Sequence, residues 1–215
     1  MKKIIGIFLL MFVAYGSWGQ ELTKGLIIKG RDTLSVDFKI PTYLFSDNII
    51  YSAIQEKIKY FDLNGKKNII KPADANEILL YHKEDTIRMV THIDPIQVPC
   101  ERCKTRYVFL KMEVDGNVKL YKYMKQYEHS YSHTVASDGF VIDMVPAGAR
   151  IGKDYFYYYQ KETDKIYSPN NLLFKKEMSK YFSDCKELIN KIKAKEFKKK
   201  DAEEIVKFYN ANCGQ

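Results

Sequence analysis

Arg106-Tyr-Val-Phe-Leu-Lys-Met-Glu-Val114, Asp115-Gly116, then Val118-Lys-Leu-Tyr-Lys-Tyr123 is the stretch on which the fold turns. Two arms rich in β-branched and aromatic residues flank an Asp-Gly dipeptide, the strongest short-range signal for a β-hairpin. The pattern recurs upstream. Leu26 to Ile28 and Leu34 to Ile40 flank Gly30-Arg-Asp32, and the second arm alternates apolar and polar residues as a half-buried strand does. Lys57 to Phe61 and Asn68 to Ile70 flank Asn64-Gly65, which predicts a type I′ turn. Pro72 to Glu77 reads as a turn into a strand over Ile78 to Tyr81, with Ile87 to Ile93 as the next strand and Pro41 to Asn48 as a loop. Tyr155 to Tyr159 and Ile166-Tyr167 are read as a further pair. Residues 126 to 153, punctuated by Gly139, Pro146, Gly148 and Gly152, are expected to form a long irregular excursion with one short strand at Phe140 to Ile142.

After Ser168-Pro-Asn170 the period changes. Phe174, Met178, Tyr181, Cys185, Leu188 and Ile192 are spaced alternately by four and three, the stripe of an amphipathic helix. Ser183-Asp184 with Glu187 is expected to cap a new helix, which splits the region into helices over about 171–182 and 185–194. A third begins near Asp201. The expected fold is therefore α+β: an antiparallel β-rich body of hairpins over 20–168 and a C-terminal segment of two to three helices over 169–215, packed on it.

The 215 residues are 46% hydrophobic, 29% charged and 14% aromatic, which excludes disorder and collagen-like repeats. Lys2-Lys3, the apolar run Ile4 to Ala14, and small residues at Ser17 and Gly19 have the order of a secretory signal peptide over 1–19. The run is too short to cross a bilayer, which takes roughly 20 residues, so no transmembrane segment is expected after cleavage. No Cys follows it to carry a lipid. Removing 1–19 leaves 196 residues and, with two Lys and no acid gone, lowers the formal charge from +8 to +6. Five Arg among 35 basic residues, in an exported chain, argue against a nucleic-acid partner, because base and bidentate phosphate recognition lean on Arg.

Four Cys in an exported chain raise the question of disulfides. If the last two helices form an antiparallel hairpin, Cys185 at the start of one lies beside Cys213 at the end of the other. Cys100-Glu-Arg-Cys103 has the spacing of a redox or metal motif, but it follows Pro95 and Pro99 and leads into a strand, whereas a thioredoxin-type site needs a helix N-terminus. A local disulfide or reduced pair, a metal site and a thiol redox site are the readings it allows. Zinc would need two further ligands, for which His92, His129 and His133 are conceivable but not at a supporting spacing. His129 and His133 have the i, i+4 spacing of two ligands on one helical face, yet their Ser- and Tyr-rich setting reads as an exposed loop. Six Lys between Lys191 and Lys200 could meet an anionic surface, or form the solvated turn between helices. Tyr127 and Tyr131, with the two histidines, are the candidate binding residues. Most of the 17 Tyr are expected to be structural. No catalytic signature and no cofactor motif is found.

Ile58-Lys-Tyr-Phe-Asp-Leu-Asn-Gly65, Lys71-Pro-Ala-Asp74, Val118-Lys-Leu-Tyr121, Tyr181-Phe-Ser-Asp-Cys185, and Ile205-Val-Lys-Phe-Tyr-Asn210 with Cys213 together resemble a family of secreted proteins of Bacteroidetes-type bacteria. The resemblance covers most of the mature chain and implies export, a β-rich body and a helical tail. It carries no assigned activity, so no catalytic residue is transferred, and Cys100 and Cys103 are not part of its pattern. The expected function is a non-enzymatic binding or structural module of the cell envelope, periplasmic or surface-associated, taking a protein or glycan through 126–153 and the neighbouring Tyr-rich strands. The alternative is a thiol redox or metal-binding factor using Cys100 and Cys103.

Overall fold

The computed structural model describes residues 20–43, 47–96, 104–129, 136–137, 140–141, 150–162 and 164–214. Nine strands form one open, wholly antiparallel sheet: β1 (Gln20–Lys29), β2 (Asp32–Pro41), β3 (Ile58–Phe61), β4 (Lys67–Ile70), β5 (Glu77–His82), β6 (Asp85–Ile93), β7 (Tyr107–Val114), β8 (Val118–His129) and β11 (Arg150–Lys161). Their order is β11-β8-β7-β6-β5-β1-β2-β3-β4. Two short strands, β9 (Ala136–Ser137) and β10 (Phe140–Val141), pair with each other. Three helices follow, α2 (Phe174–Tyr181), α3 (Lys186–Lys193) and α4 (Ala202–Asn212), the last entered through a 3₁₀ turn at Lys199–Asp201. The α+β class is as expected.

Hairpins account for most of the order, because sequential strands joined by short turns pair at once. Two junctions join strands that are not consecutive, β8 against β11 and β1 against β5, the latter with Gly25 opposite Leu80. There β1 is paired on both sides, and a Cβ on Gly25 would lie 2.0 Å from the Leu79 carbonyl oxygen and 2.8 Å from the Phe38 ring. The backbones approach closely only because glycine has no side chain.

Several sequence-level expectations need correction. The Asn64-Gly65 loop is not a two-residue type I′ turn, which requires positive φ at both central residues. Gly65 alone has it, at 73°, and five residues separate β3 from β4. The Asp62 carboxylate organises this loop by accepting the Asn64 and Lys66 N–H groups. Tyr155 to Tyr159 do not pair mainly with Ile166-Tyr167, which contribute a single bridge between Tyr159 and Tyr167. Their partner is β8, along twelve residues from Arg150 opposite His129 to Lys161 opposite Val118. Both ends of the expected excursion, 126–129 and 150–153, are therefore strand. Turn residues mark where a chain can bend but not how far the flanking strands run, and cross-strand pairing overrode the local reading. A short helix, α1 (Tyr51–Ile54), went unread because four residues show no period.

On one face of the sheet two cores lie side by side. The first gathers Phe38, Ile40, Ile58, Ile78, Leu80, Met89 and Phe109 around Ile54 of α1. The second sets Val114, Val118, Leu120 and Tyr159 of the sheet against Phe174, Met178, Phe182, Leu188, Ile192, Ile205 and Val206 of the helices. The helices thus use the stripe seen in the sequence to cover the β7–β8–β11 end. On the opposite face Val108, Leu110, Tyr121, Tyr123 and Tyr158 make a third cluster.

Ser183 and Asp184 do not cap α3. Its N-cap is Cys185, with no side-chain bond, and the Asp184 carboxylate instead takes Lys161 Nζ at 2.9 and 3.0 Å and the Tyr209 hydroxyl. The carboxylate went to tertiary partners, which hold it better than a free N–H does. Cys185 and Cys213 form the expected bridge, with Cα atoms 5.6 Å apart, tying the start of α3 to the end of α4.

Candidate functional site

Between the two cores a band of the sheet is left without apolar cover, and a cleft of about 660 Å³ opens there. Its floor is β7 and β8. Lys111 lies opposite Lys122, and beyond that pair the ladder between the two strands stops although both continue. Gln55, just after α1, enters the gap. Its backbone carbonyl accepts the Phe109 N–H (2.8 Å) and its Oε1 accepts the Met124 N–H (3.0 Å), so one residue supplies the acceptors that the strands no longer give each other. Gln55 is 2% exposed and its Nε2 finds no acceptor among the described residues. A buried amide donor without a partner costs about 1–3 kcal/mol, so its position on the cleft wall calls for an explanation.

The register shift between Met112 and Val114 puts a bulge at Glu113. Val114 packs with Val118 and Leu120 under the helices, while Glu113 bonds Lys111 (2.7 Å) and Lys122 (3.2 Å). Since Leu120 and Lys122 share a face, so do consecutive Glu113 and Val114, which is what a bulge permits. The charges are withdrawn from solvent: Glu113 is 10% exposed and each lysine 24%. Burial works against the Lys122 ammonium, but the Glu113 carboxylate and the Tyr157 hydroxyl outweigh it and hold its pKa above the ordinary lysine value.

Tyrosines frame the charges. Lys122 Nζ lies 4.8 Å from the ring centre of Tyr155 and 5.6 Å from that of Tyr157, and Lys111 Nζ lies 5.2 Å from Tyr51. These are cation–π distances. Tyr51 is part-buried and burial pushes its hydroxyl pKa up, so it faces the cleft neutral. Tyr155 keeps 44% of its surface exposed and lines the cleft. Lys83 and Asp85 stand at the exposed rim, where Lys83 pairs with Asp47 at 3.2 Å.

Tyr127 and His129 fall on β8, opposite Gly152 and Arg150, as an extension of the strand that floors the cleft. Tyr131, His133, Cys100 and Cys103 lie outside the described residues. His92 stacks edge-on against Tyr121, with ring centres 4.4 Å apart, on the other face of the sheet. Burial and the nearby Lys119 charge depress its pKa to about 4. Among the described residues no group of three His, Cys, Asp or Glu could hold a metal ion. The Lys191–Lys200 stretch, from the last turn of α3 to the entry of α4, is largely exposed, with Lys191 bonded to Glu196. Tyr121, Tyr123, Tyr158 and Tyr159 are buried and structural.

Sequence reading missed Gln55, Lys111, Glu113 and Lys122. The lysines alternate with apolar residues on an ordinary-looking hairpin, and the local hint was charge at Lys111 and Glu113, two apart on one arm, with Lys122 on the other. No helix of the described residues is long and apolar enough to cross a membrane. Comparison with protein-family models, with curated proteins and with solved structures gave no match.

Proposed function

We propose that the chain is a non-enzymatic binding module of the cell envelope, exported as its N-terminal pattern and its resemblance to secreted Bacteroidetes-type proteins imply, and that its ligand enters the cleft over β7 and β8. The observation that carries this reading is the Gln55 amide, buried on the cleft wall with a donor left unpaired. Native proteins rarely leave such a group unsatisfied, and a ligand acceptor would satisfy it. The surrounding lysines, carboxylate and partly exposed tyrosine supply orienting polar groups and ring surface, the usual make-up of a small-molecule or glycan site. The Cys185–Cys213 bridge supports an oxidising compartment. Tyr127 and His129, further along β8, follow the register of Tyr121 and Tyr123 and not that of Lys122, and make a separate candidate surface.

The test is retention on envelope fractions of the native host. The processed chain is expected to be retained, and the Lys122→Met/Tyr155→Ala double variant to lose most of that retention while keeping its circular dichroism spectrum. Equal retention of both proteins would remove the cleft from consideration and leave the strand extension at Tyr127 and His129 as the next surface to change.

A further inference from the structure

The donors and acceptors of the cleft do not balance, and the imbalance selects a ligand. Lys111 and Lys122 share one carboxylate, Glu113, which leaves the half-buried triad with one net positive charge. At the exposed rim, outside the triad, Lys83 is paired with Asp47 and Asp85 carries one negative charge. Each ammonium carries three N–H donors. One from each goes to Glu113, and Lys122 also meets the Tyr157 hydroxyl. Gln55 Nε2 adds two more N–H groups with no acceptor among the described residues. Phe109 and Lys111, and likewise Met124 and Lys122, are two residues apart on their strands. Gln55, bonded to Phe109 and Met124, therefore sits about 6–7 Å along the sheet from the lysine pair, on the same face. Beside the lysines stands the Tyr155 ring, with Lys122 near its face and 44% of its surface open.

We infer that the cleft takes a sugar acid: a hydroxylated ring whose carboxylate joins Glu113 between the Lys111 and Lys122 ammoniums, whose hydroxyls accept from Gln55 Nε2, and whose ring lies along Tyr155. The inference rests on the cleft being the binding site. A second carboxylate turns the charge-unbalanced triad into a neutral four-centre arrangement, and charge-assisted bonds in a half-buried setting are the strong ones. A neutral sugar would leave the excess charge unanswered. A peptide carboxylate would answer it but would offer Tyr155 no hydroxylated ring.

Binding is to be read by calorimetry and by backbone amide shifts of the processed chain with sodium glucuronate, a galacturonate trimer, glucose and acetyl-Ala-Ala. Glucuronate or the trimer is expected to bind and to shift the amides of Gln55, Lys111 and Met124, with glucose at least about tenfold weaker, the difference expected of one close charge pair. A monomer that binds as well as the trimer indicates a free acid, and a trimer that binds much better indicates a polysaccharide, and either supports the inference. Lys122→Met is expected to abolish binding. Glu113→Gln, which leaves the two ammoniums without their carboxylate, is expected to tighten it several-fold. That gain cannot come from a damaged fold. Glucose binding equally well, acetyl-Ala-Ala binding better than glucuronate, or Glu113→Gln weakening the acid would each overturn the inference. If envelope fractions are retained in a Lys122-dependent way while no sugar acid binds, the ligand class falls and the cleft stands. If neither holds, both fall.

Discussion

The side-chain amide of Asn210 makes two hydrogen bonds to the backbone of Val118, 92 residues away: Oδ1 accepts its N–H at 2.8 Å and Nδ2 donates to its carbonyl at 2.9 Å. A residue on α4 thereby imitates a neighbouring strand at the start of β8, where Val118 is fully buried. Gly116 makes room for it, since a Cβ there would stand 2.5 Å from Asn210 Nδ2 and the residue holds φ at 150°. The helices are thus fastened to the hairpin at its turn, beyond the apolar contacts beneath them.

Asn210→Ala should cost about 2–3 kcal/mol, because both Val118 groups lose their partner in a buried position. Asn210→Asp should cost no less. It keeps the acceptor but turns an oxygen towards the Val118 carbonyl. Urea denaturation is the check, and a midpoint unchanged in both variants would show that the pair contributes nothing.

Gln55→Leu removes the acceptor from a buried Met124 N–H and should destabilise by about 1–3 kcal/mol. The signature is local. The Met124 amide should exchange much faster with solvent, while the Phe109 amide, bonded to the Gln55 backbone carbonyl, should stay protected. Equal loss of protection at both sites would mean that the whole junction had opened.

Acidification should destabilise the protein through His92. Its folded pKa is depressed to about 4 from 6.5, chiefly by burial. The unfolded chain therefore takes up a proton between these values that the native state refuses, and stability falls as pH drops from about 6.5 to 4. The full effect is about 3 kcal/mol. His92→Phe, which keeps a ring against Tyr121, should flatten this window. The Asp184 carboxylate resists burial and is held below its usual range by Tyr209 and Lys161, so its contribution is present at neutral pH and is lost further down. The two losses separate on a pH-denaturation curve of the variant.

Reducing the Cys185–Cys213 bridge, or replacing both residues by Ser, should cost about 3–4 kcal/mol, the loop-closure entropy of a 28-residue ring. The loss should appear as faster hydrogen exchange in α3 and α4 first, with β1, β2 and β5 unaffected. A denaturation midpoint indifferent to the double replacement would place the stabilisation in the apolar contacts of Leu188, Ile192, Ile205 and Val206 alone.

Local pattern was enough to determine the hairpins, the switch to a helical period after Asn170 and the Cys185–Cys213 pairing. Each of these depends on near neighbours: a turn dipeptide, an alternation of two, a stripe of three and a half, two helices of matching length. What lies far apart in the chain stayed hidden. The β8–β11 pairing spans up to 43 positions of the chain, from Lys161 against Val118, and nothing in the 126–153 composition announces it. Asp184 reads as a cap until Tyr209 and Lys161 reach it. The cleft belongs wholly to the tertiary structure. Its charges meet because Lys111 and Glu113 share a face of β7 opposite Lys122, a bulge turns Val114 on to that face and into the helix-covered core, two cores leave a strip of the face bare, and Gln55 closes the gap where two strands part. Lysines spaced along a hairpin read as solvated surface in any sequence, and burial beside a shared carboxylate is a property that only packing can confer.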